Sequence, residues 1–233
     1  MSSPESPPSR ISGILNLLLK LIVSGGLLAY LVIQTDLSTF TAAVRDKVLE
    51  RLHNDGAEVR LHDLYAEGFN PVMSAHEHEI YLDETQNQIG HEAYIADLQW
   101  CDTLIFVYPT WWYGLPAMLK GWLDRVLVPG IAFLMPQAEN ETIRPGMTHI
   151  TRLGVLTTCG ASRLLTWFVG APGRRTLMRG IGVILARRRR TAFAAHYLMD
   201  SSSDASRAVH LAKVHKQMDR FLRGKIVNEE TTA

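Results

Sequence analysis

Two patterns of hydrophobic and polar positions follow each other along this chain, short apolar runs and amphipathic stretches. The clearest apolar run is 103–108, which has no alternation of polar and apolar residues and is typical of a strand covered on both faces. The amphipathic stretches place apolar residues three or four positions apart, as in a helix packed on one side. The patterns alternate five times, which predicts an α/β fold.

The stretch 103–127 joins such a strand to such a helix. Pro109 ends the strand because proline cannot donate to a ladder, and Pro116 suits a first helical turn. The apolar stripe of the helix contains Leu115, Leu119, Trp122, Leu123 and Val126. The loop between strand and helix holds Thr110, Trp111, Trp112 and Tyr113.

The three adjacent aromatic residues of this loop allow two interpretations. Ligands of an open parallel sheet bind beyond the carboxyl ends of strands, so the aromatic side chains are placed for a flat ligand. Alternatively, they form a small core beneath the loop. The residues alone leave both interpretations open.

The first half of the chain supplies two further strands and two further helices. Phe40, Val44, Val48 and Leu52 lie four residues apart, which predicts a helix with Ser38 or Thr39 as its cap and Gly56 closing it. Such a helix start after a strand is a ready anion site. The other expected elements are strands at 27–33 and 57–62, a long loop at 63–81 and a helix at 88–100.

The second half begins with an irregular stretch at 128–145 and continues the alternation. Ser203 caps a final helix whose apolar stripe contains Leu211, Val214, Met218, Phe221 and Leu222. The expected elements before it are a strand at 148–157, a small-residue loop at 157–163, a helix at 172–182 and a strand at 191–197.

Right-handed crossovers predict a doubly wound parallel five-stranded sheet with strand order 2-1-3-4-5. In that order, the carboxyl ends of the first, third and fourth strands lie next to each other. Three loops would therefore meet at one rim, namely 34–41, 109–114 and 157–163. We expect the functional site there.

Length, net charge and cysteine count exclude some classes of function for this chain. The chain has 233 residues, of which 47% are hydrophobic, so it can bury one large core. Its net charge of +1 argues against a nucleic-acid binder. Two cysteines, Cys101 and Cys159, give neither a disulfide framework nor zinc spacing, which favours a reducing, cytoplasmic location and no metal.

The N-terminal leader is the ambiguous region. Residues 1–10 are rich in proline and serine and predict disorder, whereas 11–33 are nearly all apolar. Lys20 and the glycines at 25–26 interrupt this run, which favours a short surface or oligomer-packing helix over a membrane anchor or signal peptide. We expect a leader at 1–24, one domain at 25–224 and a disordered tail at 225–233.

Two charged clusters have alternative interpretations. Residues 76–79, His-Glu-His-Glu, resemble metal ligands, but their spacing matches no defined motif and a solvated loop is favoured. The four arginines at 187–190 are typical of a solvated turn, with phosphate binding or a localisation signal as alternatives.

Four blocks of the sequence resemble the flavodoxin-like NAD(P)H:quinone oxidoreductases, the DT-diaphorase-like flavoproteins. They are YPTWWYGLPAMLKGWLDRV at 108–126, DLYAEGFNPVMS at 63–74, TTCGAS at 157–162 and VGAPGRR at 169–175. The resemblance covers about residues 39–223. It implies a homodimer that binds a flavin, FAD with FMN as the alternative, and transfers hydride from NAD(P)H to a quinone.

The resemblance also implies roles for residues at the rim. Pro109, Thr110, Trp111, Trp112 and Tyr113 would contact the flavin ring, and backbone groups of Thr157, Thr158, Cys159 and Gly160 would bind its pyrimidine end. Gln34, Thr39, Phe40 and Thr41 would lie at its phosphate. Tyr113 and Arg163 are the candidate catalytic residues.

The chain departs from the family pattern in two places. Gln34 and Thr35 stand where the family has a His-Pro pair, and 159–175 lack the Tyr and His that relay protons to the flavin. Arg163 is the nearest charged substitute. These departures keep two alternatives open, a catalytically weak ancillary subunit that binds a partner protein, and a membrane-anchored enzyme.

Overall fold

The computed structural model describes residues 27–33 and 39–223. The predicted leader at 1–24, Gln34, Thr35, the alternative cap Ser38 and the tail at 225–233 lie outside these residues, so the domain boundaries stay predictions. The main elements are β1 Leu28–Ile33, α1 Phe40–Asn54, β2 Glu58–Asp63, α2 Ala75–Glu79, α3 Glu92–Trp100, β3 Thr103–Pro109, α4 Ala117–Val126, β4 Arg152–Thr158, α5 Arg163–Phe168, α6 Pro172–Arg175, β5 Arg190–His196 and α7 Asp204–Leu222.

The five main strands form one parallel sheet in the order β2-β1-β3-β4-β5, which confirms the predicted order 2-1-3-4-5. Ile33 is opposite Val107, and Pro109 is opposite Thr158. The carboxyl ends of β1, β3 and β4 therefore lie side by side. This register carries the predicted loops to one edge of the sheet.

Helices cover both faces of the sheet. On one face, Phe106 and Tyr108 of β3 pack in the cluster that contains Trp122 of α4. On the other face, Ile105 and Val107 pack in the cluster that α1 and α7 complete. Residues 103–108 are all buried, as predicted for a strand between two layers.

The apolar stripes predicted for the helices face these cores. The stripe of α4 is buried from Leu119 to Val126, with Leu115 packed against its edge. The stripes of α1 and α7 meet on the opposite face. Gly56 has φ +72°, so the predicted left-handed residue after α1 is present.

Some boundaries differ from the prediction. β3 includes Pro109, because proline at the end of a strand loses only the last ladder donor. β4 begins at Arg152 and not at residue 148. Thr39 occupies the N-cap of α1, but its side chain makes no cap hydrogen bond. In 128–145, Phe133–Leu134 pairs antiparallel with Arg144–Pro145.

The His-Glu-His-Glu segment is a short helix, α2, and not the expected loop. Ser74 and Glu77 form a capping box at its start, a pattern that the sequence analysis overlooked. Glu77 also accepts hydrogen bonds from Arg125, at 2.6 and 2.8 Å, and lies 3.0 Å from His91 Nε2. These bonds tie α2 to α4 and to the start of α3.

Two helical segments follow β4. α5 was missed by the sequence analysis, which treated 157–163 only as a loop, although Ser162 caps it with a 3.1 Å bond from Leu165 N–H. The predicted helix at 172–182 is present as α6, followed by a π-helical turn at Thr176–Ile181 and a 3₁₀ turn at Gly182–Ile184.

The arginine run at 187–190 is only partly solvated. Arg187 and Arg188 are exposed, whereas Arg189 and Arg190 are half-buried and Arg190 begins β5. Within the described ranges, no helix combines the length and apolarity needed to cross a bilayer.

Candidate functional site

Three rim segments are connected by hydrogen bonds at the carboxyl end of the sheet. Thr110 N–H donates to the carbonyl of Thr158 at 2.7 Å, and the Thr110 and Thr157 hydroxyls lie 2.8 Å apart. The Thr41 hydroxyl lies 2.8 Å from the Thr158 hydroxyl. The structure therefore brings together the end of the predicted loop 34–41 and the starts of the predicted loops 109–114 and 157–163.

The aromatic loop after β3 is a tight turn with an unusual backbone. Trp112 and Tyr113 have φ values of 46° and 61°, a left-handed conformation that is rare for bulky side chains. Gly114 N–H donates to the Trp111 carbonyl at 2.8 Å and closes the turn. Each such residue costs on the order of 1 to 3 kcal/mol, and strain of this kind clusters at functional sites.

The turn presents its indoles to solvent. Trp111 is 61% exposed and Trp112 is 91% exposed. The interpretation of these two residues as a small core beneath the loop is therefore wrong for this chain on its own. Most of both indoles is left open to solvent, so a flat ligand or another molecule could add stabilising contacts there.

α6 packs directly against the turn. Gly173 N–H donates to the Tyr113 carbonyl at 3.3 Å, and a Cβ at Gly173 would lie 3.0 Å from the Gly114 carbonyl carbon. Ala171, at the N-cap of α6, has φ 47°. The VGAPGRR block thus supports the aromatic turn from the side.

A cleft of about 130 Å³ opens beside the turn. Five of its lining residues, Thr110, Tyr113, Thr157, Cys159 and Arg163, were predicted to contact the cofactor or to be catalytic. Most of the others come from α5, α6 and β5 or lie next to these elements. Together the cleft is lined by Tyr108, Thr110, Tyr113, Thr157, Cys159, Arg163, Thr166, Trp167, Ala171, Arg174, Phe193, Ala195 and Tyr197.

Two phenols that line the cleft, those of Tyr108 and Tyr197, are shifted toward their neutral form. Burial raises the pKa of Tyr108, and it also raises the pKa of Tyr197, which is less deeply buried. The Cys159 thiol is buried and lies 3.7 Å from the Thr166 hydroxyl. Neutral phenols donate hydrogen bonds, so Tyr197 supplies a donor that the sequence analysis missed because it is distant from the TTCGAS loop.

Arg163 and Arg174 bring positive charge into this cleft. Arg163, the candidate catalytic residue, is the first residue of α5 and lines the cleft, whereas Arg174 was not singled out although its block was. The Arg174 guanidinium lies 4.7 Å from the centre of the Phe193 ring. Trp167 and Phe193 carried no sequence signal, because only folding brings α5, α6 and β5 together.

The start of α1 forms the far side of the rim. Phe40 packs against His196 and His210, with ring centres 5.1 and 5.9 Å apart. The hydroxyl of Thr41 is engaged by Thr158, so its backbone N–H, and not its side chain, is suited to a phosphate. Gln34 lies outside the described residues.

The residues present fit a flavin. Flat aromatic walls suit a tricyclic ring, threonine hydroxyls and backbone groups suit its polar edge, and a helix N-terminus suits a phosphate. In the described part of the chain, no group of three or more histidine, cysteine or acidic residues is arranged to hold a metal ion.

A parallel sheet with a rim site of this kind defines a flavodoxin-like α/β protein. A sequence profile of the family described as flavodoxin-like fold matches residues 30–218, and the chain belongs to this family. The NAD(P)H:quinone oxidoreductase from Methanothermobacter marburgensis has the same fold, with a TM-score of 0.67 at 24% identity over 83% of this chain and 98% of that one.

Two curated relatives are similar over part of their length. An uncharacterised NAD(P)H oxidoreductase of Escherichia coli (strain K12) is 37% identical over 97 residues, which are 41% of this chain and 49% of that protein. The NAD(P)H dehydrogenase [quinone] 1 of Rattus norvegicus is 34% identical over 112 residues, 41% of each chain. The matches thus span about half or less of these relatives.

Proposed function

We propose that this protein is a flavin-dependent oxidoreductase that transfers two electrons from NAD(P)H to a quinone or a similar acceptor. The observation that carries this proposal is the rim, where Thr41, Thr110, Thr157 and Thr158 are hydrogen-bonded beside a strained, solvent-facing aromatic turn. The similarity to an NAD(P)H oxidoreductase and to an NAD(P)H dehydrogenase [quinone] supports it.

The chain's own residues would position the reactants. A bound flavin supplies the hydride acceptor and donor chemistry, with FAD as the proposed form and FMN as the alternative. Pro109, Thr110 and the aromatic turn would border the ring, and the 157–160 backbone would bind its polar edge. Tyr113 and Arg163 would act from the cleft, since both line it. The aromatic residues would exclude water.

The overall reaction consumes NAD(P)H, a quinone and one proton and yields NAD(P)⁺ and a hydroquinone. Hydride carries two electrons and one proton, so solvent supplies the second proton. Tyr197, whose pKa is raised by burial, would hold a hydrogen bond at the acceptor side as a neutral phenol.

The test is the absorbance of the purified protein between about 350 and 500 nm, where oxidised flavin absorbs. We expect about one flavin per chain after reconstitution with FAD or FMN. NAD(P)H should bleach this band, and a quinone should restore it. A protein that binds neither flavin after reconstitution would remove the enzyme hypothesis.

A second candidate function is a catalytically weak subunit that binds a partner protein. The observation that favours it is the exposed apolar surface of α5, where Leu164, Trp167 and Phe168 are each at least 74% exposed. A colourless protein that stays colourless on reconstitution would support this function.

We also propose a cytoplasmic homodimer. A closed pair would cover the exposed indoles and the apolar side chains of α5, which a monomer leaves in water. Sedimentation at micromolar concentration is expected to give twice the chain mass. A fully active monomer would contradict this proposal.

A further inference from the structure

The arginines of this chain are unevenly distributed. Between Glu141 and Asp200 the sequence contains no acidic residue and no lysine, although the whole chain has a net charge of only +1. This interval supplies most of the cleft, including β4, α5, α6 and β5. Its ten arginines are Arg144, Arg152, Arg163, Arg174, Arg175, Arg179 and the four at 187–190.

Two of these arginines, Arg163 and Arg174, line the cleft without a counter-charge. No acidic residue lines the cleft, and among the described residues neither arginine forms an ion pair. Asp200 lies beside Gly160 at the rim but is not bonded to either one. Arg163 and Arg174 are exposed, whereas three half-buried arginines of the chain have carboxylate partners in the pairs Arg51–Asp219, Arg60–Asp97 and Arg125–Glu77.

Both guanidinium groups act on the same region of the cleft. Each lowers the pKa of Tyr197, against the larger upward effect of burial, so each lies close to that phenol. Arg174 is held over the Phe193 ring by a cation–π contact at 4.7 Å. A guanidinium fixed in this way loses less conformational entropy when it binds an anion.

Aromatic surface surrounds these two cations. Tyr113, Trp167, Phe193 and Tyr197 line the same cleft as Arg163 and Arg174. Flat walls select flat ligands, and unpaired guanidinium groups select carboxylates, sulfonates and phosphates. Both guanidinium groups are solvent-exposed, so a ligand with both features would add charged hydrogen bonds to its aromatic contacts, whereas a neutral quinone would leave the two cations to water.

We infer that Arg163 and Arg174 form an anion-binding subsite that selects an aromatic acceptor carrying a carboxylate or sulfonate group. This inference rests on the proposed function and names the substrate class of the same site. The anionic group is a binding handle and stays unchanged, while the quinone takes up two electrons and two protons. The other anion available to the reaction is the phosphate of NADPH, which the experiment separates from the acceptor.

The first measurement is binding without turnover, by calorimetry on the full chain as purified. Naphthalenesulfonate and its neutral counterpart naphthalenesulfonamide serve as matched probes. The wild type is expected to bind the sulfonate about tenfold or more tightly, with a preference that falls at high salt. Arg163→Gln and Arg174→Gln should each remove most of this preference.

Arg187→Gln is the matched control, because Arg187 is exposed and lies outside the cleft. It removes the same charge and should keep the preference. Thermal unfolding of each variant checks that the fold is intact. Equal affinity of the wild type for the two probes, or an equal loss in Arg187→Gln, would overturn the inference.

The second measurement is turnover of a naphthoquinone sulfonate against the unsubstituted naphthoquinone. The ratio of their kcat/KM values should fall about tenfold in Arg174→Gln relative to the wild type. Turnover of both quinones with a ratio unchanged by the substitution would refute the inference and leave the proposed function standing. Sulfonate binding without turnover of any quinone would refute the proposed function alone.

A third comparison, of NADPH with NADH as the electron donor, shows whether the two arginines bind the acceptor or the phosphate of NADPH. The ratio of their kcat/KM values should be similar in the wild type, Arg163→Gln and Arg174→Gln. If the substitutions change this donor ratio and not the acceptor ratio, the arginines serve the donor phosphate and the acceptor assignment is wrong.

Discussion

Trp112 combines two features that oppose each other in a folded protein. Its backbone is left-handed, and its indole is 91% exposed, so neither local conformation nor packing explains a tryptophan there. Glycine is the residue that this backbone favours. The proposed explanation is that the indole is retained for binding.

Trp112→Gly should therefore separate stability from binding. We expect the free energy of unfolding to stay within about 1 kcal/mol of wild type, because relief of strain offsets the entropy of glycine. Flavin affinity or kcat/KM should fall by about 1 to 3 kcal/mol. Trp112→Phe, which keeps a flat ring, should retain much of the function. Unchanged flavin binding in the glycine variant would show that the indole has no part in the site.

His210 and His196 form a second residue-scale feature, a buried pair whose ring centres lie 5.0 Å apart. Burial, the neighbouring His196 and Lys213 lower the pKa of His210 to about 4. Burial also lowers the pKa of His196, with Arg207 adding to this effect. Both rings are therefore neutral in the folded protein at physiological pH, beside the first residue of α1.

This pair predicts that acid weakens the fold. The pKa of His210 in the folded protein lies below its ordinary value of 6.5, so the unfolded chain binds more protons between those limits. Stability should fall as pH drops below about 6.5, by roughly 1 to 2 kcal/mol near pH 5 after allowance for screening. Urea unfolding at several pH values measures this effect. His210→Phe should show a smaller decrease, and an equal decrease would exclude His210 as the cause.

At the scale of elements, the contact between α6 and the aromatic turn fixes the geometry of the site. Gly173 allows this contact because its missing Cβ would meet the Gly114 backbone at 3.0 to 3.3 Å. Backbone atoms on both sides cannot move aside as a flexible side chain would. The position of α6 is thus coupled to the conformation of the turn.

Gly173→Ala is expected to push α6 away from the turn and lower the free energy of unfolding by about 1 to 3 kcal/mol. Flavin affinity should fall with it. Gly180→Ala is the matched control, since a Cβ there meets no atom within 4 Å and alanine is the better helix former. Thermal unfolding and flavin titration of both variants test this contact. Equal effects of the two substitutions would contradict it.

The helices and strands also show which parts of the fold could be predicted from the sequence pattern. The buried run of β3 and the stripes of α1, α4 and α7 were predictable because burial imposes a period on the sequence. α5 was missed because its exposed Leu164, Trp167 and Phe168 give no stripe facing a core. Other lining residues of the cleft were missed for a related reason, since Arg174, Phe193 and Tyr197 are brought together only by the fold.

For the whole molecule, the described residues already form a covered sheet. β1 begins at Leu28 and lies between β2 and β3, so the strand that follows the leader is central to the fold. α1 and α7 pack on one face, and α3 and α4 pack on the other. Neither face needs a further helix to bury its apolar residues.

Deletion of residues 1–24 is therefore expected to leave a soluble protein that binds flavin. The opposing possibility is a leader helix whose apolar side chains pack on the domain or across a dimer. In that case the removal of each buried side chain would lower the free energy of unfolding by about 1.5 to 3 kcal/mol. A few such losses would exceed the stability of a typical domain. Asn16 and Lys20 interrupt the leader and argue for tolerance. Thermal unfolding and flavin titration of the truncated and full-length proteins decide the matter, and aggregation of the truncated protein alone would establish a structural leader.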